Sequence, residues 1–177
     1  MCRLVEPSSI RTFSIGMEGS PDLLAAQEVA TYLGTNHTSV IVSEQEMLDA
    51  IVPTIYQIES YDTTTVRASV GNWLISKYIR NNSNAKVIFN GDGSDEVTGG
   101  YIYFNNAPNE YEFDKECRRL INDICYFDVL RSDRCISVHG LEARTPFLDR
   151  SWVRFYLSIP ILSLIHISEP TRPLYIS

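Results

Sequence analysis

Short β-type runs alternate along this chain with stretches of helical periodicity, and that alternation admits few architectures besides a parallel sheet with crossover helices. Arg11–Met17 (RTFSIGM) reads as a strand closed by Gly19-Ser20-Pro21. Leu23, Leu24, Val29, Ala30 and Leu33 then recur at helical spacing, predicting a helix from Asp22 to Gly34 with Ser20 as its cap. Thr38–Val42 (TSVIV) is a second strand. Ser43 followed by Glu46 is a capping-box pattern that opens a helix towards Glu59, with Pro53 inside it as a point of division or kinking. Thr65–Ile79 is amphipathic, with Val66, Val70, Trp73, Leu74 and Tyr78 near one face. Lys86–Phe89 (KVIF) is a short apolar strand, and Glu110–Phe127 is helix-like.

In such sheets ligands bind beyond the carboxyl ends of the strands. The KVIF strand ends there on Asn90-Gly91-Asp92-Gly93-Ser94-Asp95-Glu96, followed by Gly99-Gly100. The glycines let backbone amides approach a ligand, and the acids can orient Mg²⁺ beside nucleotide phosphates. An acidic turn after a strand has the same composition, so both readings stand. Calcium does not fit, because the EF-hand spacing is absent. A second cluster is Tyr61-Asp62-Thr63-Thr64-Thr65-Val66-Arg67, where Arg67 can meet a phosphate or carboxylate in a bidentate way, or Asp62 and the threonines simply cap a helix. A third is His139–Asp149 (HGLEARTPFLD), in which Glu142 and Arg144 share one side of an extended segment, as an internal ion pair would also require.

Of the 177 residues, 15 are Lys or Arg and 22 Asp or Glu, a formal charge of −7 with no basic run. That balance argues against nucleic acid or an anionic membrane surface as partner. No apolar stretch approaches the roughly 18–20 residues of a membrane span, and Met1–Ile10 lacks the apolar core of a signal peptide. Cys2, Cys117, Cys125 and Cys135 show no zinc or disulfide spacing, which suits a reducing, cytoplasmic setting.

Five stretches together resemble the C-terminal synthetase domain of glutamine-dependent asparagine synthetases, especially of the animal type. They are TFSIGMEGSPDLLAAQEVATYLGT, ESYDTTTVRASVGNWLISKYIR, VIFNGDGSDEVTGGYIYFNNAP, YFDVLRSDR and HGLEARTPFLD, and the resemblance covers about Thr12 to Pro160 in the family's order and spacing. The resemblance implies a doubly wound parallel-sheet fold of the ATP-pyrophosphatase (adenine nucleotide alpha hydrolase-like) type with a helical C-terminal part. It implies an ATP-dependent carbon–nitrogen ligase that activates the aspartate side chain as β-aspartyl-AMP, with Mg²⁺, and amidates it with ammonia from glutamine. Ile15, Asn90 and Gly91 would then lie against the adenylate, Asp92 would take the position of the intermediate-forming glutamate, and Asp95 would help hold Mg²⁺. Thr64 and Arg67 match positions that handle aspartate and nucleotide, while Asp128, Arg131, Glu142 and Arg144 match further synthetase-site positions. The full-length enzyme is expected to be a homodimer in the cytoplasm, without nucleic acid or membrane.

Three departures qualify this expectation. The family loop commonly reads SGEGSDE, whereas this chain has Asn90 for Ser and Asp92 for Glu, a carboxylate one methylene shorter. No SGGLDSS pyrophosphate loop precedes Thr12, no glutaminase domain is present, and Cys2 in MCRLVEPSS is a coincidental imitation of a glutaminase nucleophile. Finally, LSLIHISEPTR at residues 162–172 looks like translated sequencing adapter. The synthetase segment is therefore assigned to residues 1–161 and the stretch 162–177 excluded, with His166 and Ser168. This polypeptide alone is expected to be inactive. A noncatalytic short isoform that pairs with the full-length enzyme is the alternative, and a β-lactam-forming synthetase a more distant one.

Overall fold

The computed structural model describes residues 4–165; Cys2, His166, Ser168 and most of the adapter-like stretch lie outside them. The described chain divides into two units, residues 4–87 with 131–142, and residues 88–130 with 143–165.

The first unit begins with β1 (Arg11–Gly16), α1 (Pro21–Leu33) and β2 (Asn36–Ile41). The two strands pair in parallel from Arg11↔Asn36 to Gly16↔Ile41, as the alternation predicts for strands joined by a crossover helix. Gly34 ends α1 in the left-handed conformation, with its N–H on the carbonyls of Ala30 and Thr31. Ser20 holds the N-cap position, but its hydroxyl makes no capping bond. Pro21 at the first helical position presets the backbone instead.

The stretch after Ser43 is two helices rather than one, α2 (Glu44–Asp49) and α3 (Ile51–Ile58). The capping box is formed: the Glu46 N–H donates to Ser43 Oγ at 3.2 Å, and the Ser43 N–H donates to Glu46 Oε2 at 2.8 Å. The division falls at Ala50, upstream of Pro53, and so places the proline in the first turn of α3, where helical N–H groups have no intrahelical partner anyway. Helix α4 (Thr63–Asn82) extends beyond the predicted range at both ends and buries Val66, Ser69, Val70, Trp73, Ser76 and Ile79 at three- and four-residue spacing. Val66, Val70 and Trp73 pack with Ala50, Ile58 and Cys135 to make this unit's core. Cys135 belongs to α7 (Asp128–Ser137), a helix that periodicity did not signal; its thiol meets the Ser69 carbonyl at 3.6 Å.

The second unit holds α5 (Ser94–Thr98) and α6 (Glu110–Asp123), followed by a single 3-10 turn over Ile124–Tyr126 in place of the last turn predicted to be helical. Phe104, Phe113 and Cys117 form its core, with Leu120, Leu157 and Ile161 against them. β3 (Val87–Phe89) pairs with β4 (Glu142–Arg144), whose extended conformation the sequence foresaw. The Asn90 N–H continues this ladder to the Arg144 carbonyl at 3.0 Å. The described strands thus form two two-stranded sheets within a mixed α/β fold. Among the described residues no helix is long and apolar enough to cross a membrane.

Candidate active site

Within the first unit, Ile15 lies in β1 opposite Val40 and is half-buried. Thr64 and Arg67 sit three residues apart at the exposed start of α4. Asp62 caps this helix: its Oδ2 accepts the Thr65 N–H and the Thr65 hydroxyl, both at 2.8 Å. These bonds, the backbone one first, hold the Asp62 carboxyl below its usual range. Capping is therefore what the acid in YDTTTVR does, and it fixes the backbone that presents Thr64 and Arg67. Because the folded-state pKa is lowered, the cap's contribution is complete above the unfolded-state value and is lost as pH falls through the folded one. Asp62→Asn still caps but does not titrate. Its helical circular dichroism should fall less than wild type between roughly pH 5 and pH 2, and equal acid sensitivity would contradict the assignment.

Arg131 lies half-buried on α7, and Glu142 is exposed at the start of β4. His139, from the same motif as Glu142, packs edge-on against Trp73 with ring centroids 5.2 Å apart. Burial and then the Lys77 charge lower its pKa. This histidine belongs to the core rather than to the loop chemistry.

The second unit brings together Asn90, Gly91, Asp92 and Asp95. The loop leaves β3 and turns at once into α5, with the Ser94 N–H on the Gly91 carbonyl at 3.2 Å and the Val97 N–H on the Gly93 carbonyl at 3.1 Å. Gly93 has φ +89°, and a Cβ there would lie 2.2 Å from Leu148 Cδ2, so only glycine fits the turn. Asp92 is half-buried, while Gly91 and Asp95 are exposed. Nothing stands within 4 Å of a Cβ built on Gly91, which leaves its backbone open to a ligand. A Cβ at Gly100 would lie 2.2 Å from Asp95 Oδ1, so the second glycine of GG is what allows the Asp95 carboxylate to lie against the chain. Asp128 opens α7, half-buried, and Arg144 closes β4, exposed, with its carbonyl taken by Asn90.

Sequence reasoning missed the pair beside this loop. Glu96 is buried, 4% exposed, and accepts the Tyr101 hydroxyl. The last acid of the motif is thus structural and does not face solvent with Asp95. The signal available was the tyrosine directly after Gly99-Gly100, five residues from the acid and close enough to return to it.

Among the described residues no group of three or more His, Cys, Asp or Glu is placed to hold a metal ion. Mg²⁺ in nucleotide sites typically takes one or two protein carboxylates and completes its shell with phosphates and water. The exposed Asp95 and half-buried Asp92 carboxylates are hard oxygen donors that fit that manner of binding.

The family model for asparagine synthase matches residues 1–112 and 105–166. The chain is 52% identical over 154 residues to rat asparagine synthetase (glutamine-hydrolyzing), covering 87% of this chain and 28% of the rat protein. It is 53% identical to the mouse protein and 52% identical to the human one, each over 151 residues that cover 85% of this chain and 27% of the relative. The chain thus spans less than a third of the length of these curated relatives.

Proposed function

Because the chain belongs to the asparagine synthase family, we propose that residues 1–161 are a segment of the synthetase half of a ligase that makes asparagine from aspartate, ATP and glutamine-derived ammonia. In this reading the fold is part of a doubly wound ATP-pyrophosphatase domain, at work in the cytoplasm within a homodimer. The observation that carries it is the loop beyond β3, in which open backbone at Gly91 and the carboxylates of Asp92 and Asp95 stand together, in a chain half identical to the relatives named.

The β-carboxylate of aspartate attacks the α-phosphorus of ATP, the α–β phosphoanhydride bond breaks, and pyrophosphate leaves. Ammonia then attacks the acyl carbon, and AMP departs with the C–O electron pair. Ile15 and the backbone of Asn90 and Gly91 hold the adenylate portion. Asp95 would help hold Mg²⁺, which supplies charge neutralisation for the pyrophosphate leaving group. Arg67, Arg131 and Arg144 offset the negative charge of two anions brought together, with Thr64 donating a hydroxyl. Asp92 takes the position of the intermediate-forming glutamate, and Asp128 and Glu142 take further positions of the synthetase site.

The test is aspartate-dependent exchange of labelled pyrophosphate into ATP by the full-length protein that carries this segment. Exchange that requires aspartate and Mg²⁺ is expected. Exchange that proceeds equally without aspartate, or with another carboxylic acid in its place, would overturn the substrate assignment.

A further inference from the structure

Asn90 and Asp92 are bound to each other by two bonds. The Asn90 amide Nδ2 donates to Asp92 Oδ2 at 2.8 Å, and the Asp92 N–H donates to Asn90 Oδ1 at 3.3 Å. Asn90 is itself anchored, because its N–H continues the β3–β4 ladder to the Arg144 carbonyl at 3.0 Å. The Asp92 carboxylate is therefore held, through one amide side chain, to the end of a sheet. We infer that Asn90 is a positioning residue for the Asp92 carboxylate, and that asparagine at 90 and aspartate at 92 work as a matched pair.

The side-chain chemistry selects these two residues. A primary amide offers an acceptor for the residue-92 N–H and, on a separate atom of the same planar group, a donor for its carboxylate. A serine at 90 can also accept an N–H and donate to a carboxylate, as Ser43 does with Glu46, but from a single oxygen on Cβ, so it holds the acid from a shorter arm. Aspartate at 90 has no donor and would repel the neighbouring charge. Asparagine is the length that closes the ring on an acid two residues away. At position 92 a glutamate would carry its carboxylate past the amide by one methylene, on the order of 1 Å, a displacement that can cost up to about 100-fold at a reacting centre. The two residues by which this loop departs from the SGEGSDE pattern are thus the two that bond to each other, and the longer side chain at 90 accompanies the shorter one at 92.

This inference rests on the proposed synthetase reading for its activity readout, and a second measurement stands apart from it. In the full-length protein, aspartate-dependent pyrophosphate exchange is measured for wild type, N90S, D92E and N90S/D92E. Each single change is expected to lower kcat about tenfold with KM for ATP altered less than about threefold, and the double change to return kcat to within about threefold of wild type. Single effects that multiply in the double variant would overturn the pairing. Should wild type show no aspartate-dependent exchange, the synthetase reading fails, and the pairing is decided by hydrogen exchange. There the Asp92 amide should exchange about tenfold faster in N90A than in wild type while the β3 amides stay unchanged. Equal exchange at Asp92 would overturn the inference on its own.

Discussion

Gly99→Ala is expected to destabilise the second unit by about 2–5 kcal/mol, the sum of a left-handed backbone at roughly 1–2 kcal/mol and overpacking at roughly 1–3 kcal/mol. Gly99 ends α5 at φ +67°, donating its N–H to the Asp95 carbonyl. A Cβ there would lie 2.3 Å from Phe113 Cζ and 2.8 Å from Cε2. Phe113 cannot retreat easily: it is 7% exposed, with its ring centroid 4.9 Å from that of Phe104 in the core. Gly19→Ala supplies the comparison, since Gly19 has φ +79° but nothing within 4 Å of its Cβ. Urea midpoints should show Gly99→Ala falling well below Gly19→Ala, and equal losses would mean that the ring moves aside at no cost. Because Asp95 lies on the helix that Gly99 closes, the loop should loosen along with the core.

What the sequence made legible is what short-range chemistry decides. The capping box at Ser43 and the glycine ending α1 depend on residues within a few positions of one another, the parallel β1–β2 pair follows from the strand–helix–strand alternation, and all formed. The helical run was expected to reach Glu59 and α3 does end there, but the manner of its ending was not legible, because Glu59 takes the left-handed conformation, φ +54°, with no glycine to announce it. The compensating contact comes from Arg134, whose guanidinium donates to the Ile58 carbonyl from 76 positions away. Helix α7 escaped for a related reason. Its buried face is Ser132, Cys135 and Ile136, of which only Ile136 counts as strongly apolar, so periodicity registered little although Cys135 is fully buried. In the loop, composition displayed the acids but not their division of labour. Glu96 turned inward because Tyr101 offers a hydroxyl, and Asp92 turned towards Asn90 because an amide two residues back can hold it.

That division of labour sets the last expected result. Asp92→Asn should lower aspartate-dependent pyrophosphate exchange in the full-length protein by about 100- to 10,000-fold, the range for removing a charged group aimed at a transition state. The urea midpoint should hardly move, since Asp92 is half-buried in a loop and its core-facing neighbours are untouched. The substitution keeps the shape and the backbone N–H that donates to Asn90 Oδ1, and removes the charge that the Asn90 amide meets at 2.8 Å. Asp95→Asn should behave differently, raising the Mg²⁺ concentration needed for half-maximal exchange while saturating metal restores much of the rate. Two carboxylates three residues apart would then be told apart by what rescues them, and the metal would rescue only one. If saturating Mg²⁺ restored both variants alike, Asp92 would be a second metal ligand. Its bond to Asn90 would then serve to aim an oxygen at the cation, not at the activated aspartate.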